Sequence, residues 1–187
     1  MSHAMTPSRY DDDLWELVPA DPGPPPAHLV EFVRRLGPVQ RALDLGCGDG
    51  RLTAQLDAAE LTAADVSPVA LGRARARLPG AQLVELEPDA PLPLADASFD
   101  LVLSAETIEH VRDVQLFLSE VRRVLRPGKE LALTTPATPP LVSPEDPLSP
   151  HLRRFTRRSL TRVLGELGFT LRELDRRSGT LLARATR

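Results

Sequence analysis

Arg41-Ala42-Leu43-Asp44-Leu45-Gly46-Cys47-Gly48-Asp49-Gly50 reads as a strand that runs into a glycine-rich turn. Arg41–Leu45 is a short apolar run of strand length, and the spacing after it predicts a helix through Gln55. Glycines let a backbone turn sharply and let a ligand approach closely, and the first turn of a helix offers free N–H groups. The turn is G-x-G-x-G and not the G-x-G-x-x-G of a dinucleotide fingerprint. Asp44 stands before it and Asp49 within it, so a pyrophosphate would meet negative charge, whereas a ligand carrying cationic groups would not. A second apolar strand, Leu61–Ala64, ends in Asp65, where a carboxylate can accept hydrogen bonds from ribose hydroxyls.

The alternation continues outward from this turn. Ser67 can cap the next helix, with Pro68 at its first position and Leu71, Ala74 and Leu78 as the buried stripe. Gln82–Leu86 and Phe99–Ser104 read as third and fourth strands. Val114, Phe117, Leu118, Val121 and Leu125 mark an amphipathic helix stopped by Pro127-Gly128, and Leu131–Thr135 is a fifth strand. Thr156–Leu167 is a last helix, and Phe169–Leu174 and Thr180–Ala185 a closing hairpin. Before the first strand, His28–Leu36 has helical spacing and stops at Gly37-Pro38. Repeated βα units with right-handed crossovers predict an α/β fold, a Rossmann-like doubly wound sheet with helices on both faces. Residues 27–187 read as one domain. Residues 1–26 read as a proline-rich N-terminal arm with a tag scar at 1–4, and Pro136–Pro150, with six prolines, as a loop over the site.

The chain has 187 residues and a net charge of −3, so as a whole it is no polycation. No run approaches the roughly 20 apolar residues of a membrane span, and no basic-then-apolar leader opens it. The lone Cys47 cannot form an internal disulfide. A cytoplasmic protein is the expectation. Cys47 fits the tight turn and lacks an obvious base. Residues 151–187 carry ten arginines, yet Arg158 and Arg162 lie opposite their helix's apolar stripe and read as a solvated face. With one Trp, one Tyr and five Phe there is no stacking platform for nucleic acid.

The segments ALDLGCGDGRL, AADVSPVALGRARARL, PLADASFDLVLSAETIEHV, VRRVLRPGKELALTTP and HLRRFTRRSLTRVLGELGF together resemble the successive motifs of class I S-adenosylmethionine (SAM)-dependent methyltransferases, over roughly residues 28–175. The resemblance implies a seven-stranded sheet of order 3-2-1-4-5-7-6 with strand 7 antiparallel. It implies SAM as cofactor, S-adenosyl-L-homocysteine (SAH) as product and methyl transfer to an oxygen or nitrogen of a small-molecule acceptor. By the same resemblance Asp44, Gly46, Cys47, Gly48, Asp49 and Gly50 hold the methionine part, and Asp65 with Val66 the ribose side. Asp89 and Ala90 flank adenine, with Glu87 as the fallback because the chain is one residue shorter than the family's pattern there. Ser104 and Ala105 line the methyl side, and Tyr10 folds over the cofactor as N-terminal aromatics do in some relatives.

The acceptor chemistry is expected after the fourth strand, at Glu106-Thr107-Ile108-Glu109-His110. If that stretch is helical, Glu106, Glu109 and His110 share a face and could hold a divalent metal. The E-x-x-E-H pattern is similar to a magnesium site in ubiquinone-biosynthesis O-methyltransferases and to the site of small-RNA 2′-O-methyltransferases, where His151 would add a second histidine. Without a metal, His110 serves as general base, the carboxylates cap a helix start, with Glu106 kept as a catalytic candidate, and His151 anchors a loop. Three functions stay open: a small-molecule methyltransferase, a metal-assisted RNA methyltransferase and a non-catalytic SAM-binding protein.

Overall fold

The computed structural model describes residues 15–19, 21–137 and 152–187. Tyr10, His151 and the interior of the proline-rich loop lie outside the described residues. The elements are α1 (Ala27–Arg34), β1 (Val39–Leu45), β2 (Ala58–Asp65), α2 (Pro68–Arg77), β3 (Gln82–Glu85), β4 (Phe99–Ala105), α3 (Val114–Val124), β5 (Leu125–Pro136), α4 (Arg157–Glu166), β6 (Thr170–Arg177) and β7 (Thr180–Thr186). They build one seven-stranded sheet of order β3-β2-β1-β4-β5-β7-β6. β1 pairs in parallel with β2 and β4, and β7 lies antiparallel between β5 and β6. Among the described residues no helix is long and apolar enough to cross a membrane.

Strand periodicity sorts the core onto two faces. Val102, Leu131, Leu133, Leu181 and Ala183 point to the face covered by α3 and α4, where Leu118, Val121, Leu160 and Leu164 meet them. Leu101, Leu103, Ala132 and Leu182 point to the opposite face, covered by Leu29, Phe32 and Val33 of α1. Central strands buried on both sides read as continuous apolar runs, as β4 does.

Local chemistry sets the helix ends. Ser67 Oγ accepts from the Ala70 N–H at 3.1 Å, and Asp113 Oδ1 accepts from the Leu116 N–H at 2.9 Å. Thr156 and Ser159 cap α4 reciprocally.

Two expectations are corrected. The helix after the glycine turn is only a 3-10 turn, Thr53–Gln55. β2 begins earlier than the apolar pattern suggested, at Ala58, so the chain from Arg51 to Asp57 must turn back at once, and the Val39 N–H already donates to the Asp57 carbonyl at 2.9 Å. Likewise Pro127-Gly128 does not stop α3. Leu125 turns extended and pairs with Phe99, and Pro127 sits inside β5 at a register shift, where its missing N–H is tolerated.

Arg123 of α3 ties this layer to the 92–96 loop. It donates to Glu120 at 2.7 and 2.8 Å, to Asp96 at 2.6 Å, and to the Leu92 and Leu94 carbonyls at 3.0 and 2.7 Å. Charge-assisted bonds of this kind are the strong ones. Arg123→Ala is expected to lower the unfolding free energy by about 1–3 kcal/mol in urea titrations; an unchanged midpoint would show the knot to be solvated decoration.

Candidate functional site

A cavity of about 670 Å³ opens beyond the carboxyl ends of β1, β2 and β4. That is where open α/β sheets bind ligands. Its floor is the glycine turn. Gly46, Gly48 and Gly50 have φ of 82°, 54° and 80°. The Gly46 and Cys47 N–H groups both donate to the Ala64 carbonyl, at 2.8 and 3.0 Å, and the Gly48 N–H to Asp65 Oδ2 at 2.7 Å. The turn is thus clamped to the end of β2. The three glycines are crowded by the chain's own side chains. A Cβ on Gly46 would stand 2.3 Å from Thr107 Oγ1, one on Gly48 2.6 Å from Trp15 Cζ2, and one on Gly50 2.9 Å from Leu78 Cδ1.

The acids of the turn have separate fates. Asp44 is 2% exposed beneath the turn. Its Oδ2 accepts from the Thr53 hydroxyl at 2.6 Å, and its Oδ1 is buried with no partner. Burial pushes its carboxyl up to about 7, against the pull of Thr53 and with Asp65 adding to the rise. Asp49 points away from the cavity into ion pairs with Arg51 at 2.9 Å and Arg77 at 3.2 Å. Its charge is neutralised there, so the electrostatic case against a pyrophosphate rests on Asp44 and Asp65. Cys47 packs among Ala63, Leu71, Ala74 and Leu78, where burial and the neighbouring acids hold the thiol protonated. None of Asp44, Cys47, Asp49 and Gly50 lines the cavity.

Asp65, Val66, Glu87, Asp89 and Ala90 do line it. Asp65 Oδ1 also accepts from the Ser67 N–H at 3.0 Å, which orients the carboxylate. Asp89 has φ 54°, an uncommon conformation for a residue with a side chain. Glu87 and Asp89 both face the opening, so geometry alone does not choose between them.

Past β4 the site departs from expectation. The strand runs one residue further than predicted, to Ala105, so Ser104 is wholly buried and neither it nor Ala105 lines the cavity. Glu106 and Thr107 take that place. Glu106 has φ 53°, and residues 108–110 form a turn instead of a helix. Its carboxylate accepts from the Thr134 hydroxyl at 2.8 Å, and burial raises its pKa. Glu109 is 1% exposed and accepts from the Thr135 hydroxyl at 2.9 Å. Burial, with Glu106 adding, pushes Glu109 up to about 8. Thr134 and Thr135 are successive residues of β5 and face opposite sides of the sheet. The two glutamates therefore diverge, His110 stays exposed at the cavity wall, and the shared face of Glu106, Glu109 and His110 does not form. Among the described residues no group of His, Cys, Asp or Glu gathers as a metal site.

Trp15, Leu17, Val18 and Pro19 of the arm form another wall, with Leu92, Val111, Leu116 and Phe117 opposite the glycine turn. The resemblance pointed to Tyr10 and gave Trp15 no role. No local pattern marks Trp15, because its contacts are to Gly48 and Arg73, far along the chain. Arg158 and Arg162 lie on the exposed side of α4, away from this cavity.

Residues 43–133 match the family model described as a methyltransferase domain. The "probable S-adenosylmethionine-dependent methyltransferase" of Mycobacterium tuberculosis is 33% identical over 172 residues, covering 81% of this chain and 62% of that protein. The malonyl-[acyl-carrier protein] O-methyltransferase of Methylococcus capsulatus is 37% identical over 165 residues, covering 80% of this chain and 59% of that one. This chain thus spans about three fifths of the length of both relatives. Among solved structures, a SAM-dependent methyltransferase from Aquifex aeolicus superposes with a TM-score of 0.70 at 18% identity, covering 97% of this chain and 98% of that one, which establishes the shared fold.

Proposed function

We propose that this chain, which matches a methyltransferase-domain model over residues 43–133 and is 33% identical to a probable SAM-dependent methyltransferase, transfers a methyl group from SAM to an oxygen or nitrogen of a small-molecule acceptor. The observation that carries this reading is Glu106, a carboxylate on the cavity wall, pinned by Thr134 beside Gly46 and Thr107.

The residues present suit the family's methyl donor. Asp44 Oδ1, beneath the turn and behind the cavity lining, is a buried acceptor without a partner, and we assign it to the donor's ammonium group. Asp65 stands on the cavity wall at the end of β2, where a ribose is held in folds of this kind. When bound, the donor supplies an electrophilic methyl group on a sulfonium. The chain's own tasks are then to align the acceptor, exclude water and take up a proton.

Glu106 is placed for the last task. Its raised pKa makes it a better base than an exposed carboxylate, and its strained backbone aims it at the cavity. Thr134 restricts it to one orientation. The side chains of Trp15, Leu17, Val18 and Phe117 give the cavity an apolar wall. An acceptor hydroxyl would lose its proton to Glu106 as it is methylated, and a neutral amine would lose one to it after attack. An acceptor that is already an anion needs no base. The name of the Methylococcus relative points to such a case, the carboxylate of a malonyl thioester. The divergence of Glu106 and Glu109 weighs against the metal-assisted RNA alternative.

The test is SAH formation from SAM across a panel of hydroxy, amino and carboxy compounds. With a hydroxylated acceptor, Glu106→Gln is expected to lower kcat by about a hundredfold with little change in SAM affinity. Unchanged turnover by this variant would remove Glu106 as the base.

A further inference from the structure

The charges that line the cavity are mostly of one sign. Its acids are Asp65, Glu87, Asp89, Glu106, Asp113 and Glu120, and among the described residues Arg112 is its only arginine or lysine. Part of this negative charge is already answered. Glu120 pairs with Arg123 at 2.7 Å. Asp113 follows Arg112 in the chain and accepts from the Leu116 N–H at 2.9 Å. Asp65 accepts from the Gly48 and Ser67 N–H groups. Glu87, Asp89 and Glu106 remain. None of the three pairs with a cation among the described residues, and Glu106 is held by the neutral Thr134 hydroxyl.

These three are spread along the path a ligand takes. Glu87 and Asp89 are exposed at the opening, and Glu106 is partly buried on the wall beside Gly46 and Thr107. A cleft lined by one sign of charge focuses its field, draws in ligands of opposite charge and repels those of like charge. A partly buried carboxylate also acts through a lower dielectric than an exposed one, so its attraction for a cation is stronger. Opposite the glycine turn, Val111, Leu116 and Phe117 are apolar. A ligand that suits both features carries a positive charge on an apolar body. An ammonium group has three donors for the carboxylates to accept. A carboxylate in its place would meet Glu106 with like charge.

We propose that the methyl acceptor is an amine with an apolar body, drawn in as its ammonium ion by Glu87, Asp89 and Glu106, and that carboxylate acceptors are excluded. This inference rests on the methyl-transfer reading above and narrows it from oxygen or nitrogen to nitrogen. The chemistry balances without a further reagent. The bound ammonium releases one proton to solvent and becomes the neutral amine. Its lone pair forms the new nitrogen–carbon bond as the methyl–sulfur bond breaks, and the electron pair of that bond passes to sulfur, leaving neutral SAH. Glu106 then takes a proton from the methylated ammonium and passes it to solvent.

The experiment measures SAH formation by the full chain at saturating SAM with matched compounds: phenylethylamine, phenylethanol and phenylpropionate, and the cyclohexyl and hexyl series built in the same way. The amines are expected to exceed the alcohols and carboxylates in kcat/KM by about tenfold or more. Raising salt from about 20 mM to about 500 mM should lower the amine value about fivefold and leave the alcohol value unchanged. Arg112→Gln removes the opposing cation and should lower the amine KM about threefold, whereas Glu87→Gln should raise it about threefold. A structural defect does not produce opposite signs of this kind. An alcohol or carboxylate used as well as its amine, or an amine KM unmoved in both variants, would overturn the amine assignment and leave methyl transfer in place. If SAM binds by calorimetry but no compound yields SAH, the small-molecule reading falls and this inference with it.

Discussion

Asp44→Asn is expected to weaken SAM and SAH binding on the order of a thousandfold while leaving the unliganded protein as stable or more stable above pH 7. Asp44 is buried, and one of its oxygens has no partner. Removing one partner of a buried charge pair costs about 3–5 kcal/mol, because the other charge is then desolvated without compensation. Asparagine keeps an acceptor for Thr53 but sets a neutral amide where the donor's cation needs a charge. In the unliganded chain the same change relieves the burial of a carboxylate, a trade of stability for binding common at functional sites.

The pH dependence has a definite sign. Asp44 is raised from 3.8 to about 7 and Glu109 from 4.5 to about 8. The folded chain therefore holds protons that the unfolded chain releases, and the contribution of these two groups is complete below about pH 4 and lost as pH rises to about 8. A cation beside Asp44 reverses its shift, so donor binding near pH 6 should release about one proton. Calorimetry of SAH binding in two buffers of different ionisation enthalpy measures that release. Equal heats in both buffers for the unmodified protein, or release retained in Asp44→Asn, would rule out Asp44 as the ammonium's partner.

Gly46→Ala is expected to cost about 3–4 kcal/mol of stability and to abolish measurable SAH binding. Two terms add. The left-handed φ of 82° costs a residue with a Cβ roughly 1–2 kcal/mol. The new methyl would also stand 2.3 Å from Thr107 Oγ1, whose hydroxyl donates to the Ala105 carbonyl at 3.1 Å, and a β-branched side chain so held does not swing aside freely. The double variant Gly46→Ala/Thr107→Ala separates the terms in urea titrations. It should recover about half of the loss. No recovery would place the whole cost in the backbone.

The order of βα units was legible because each signal is local. Ser67-Pro68 sits at the start of α2, the apolar stripe of α3 recurs at helical spacing, and Gly37-Pro38 ends α1. The glycine turn and Asp65 were legible for the same reason: a turn needs particular residues wherever it occurs. Boundaries were less so, since pairing with a neighbouring strand overrides local pattern. Ala58 is drawn into β2 by Val39, and Leu125 into β5 by Phe99. β4 runs to Ala105, and Glu106 and Thr107, not Ser104 and Ala105, line the cavity.

The glycine turn, the acid before it and the order of motifs along the chain thus carried the resemblance that implies the methyl donor, since backbone conformation and charge at a strand end are properties of neighbouring residues. Which groups face the donor was decided only by the tertiary structure. Asp49 is neutralised by Arg77 from α2, Glu106 and Glu109 are parted by two successive threonines of β5, and Trp15 is brought onto Gly48 by Arg73. Each depends on a contact between residues distant in the chain, and no local pattern of residue types encodes such a contact.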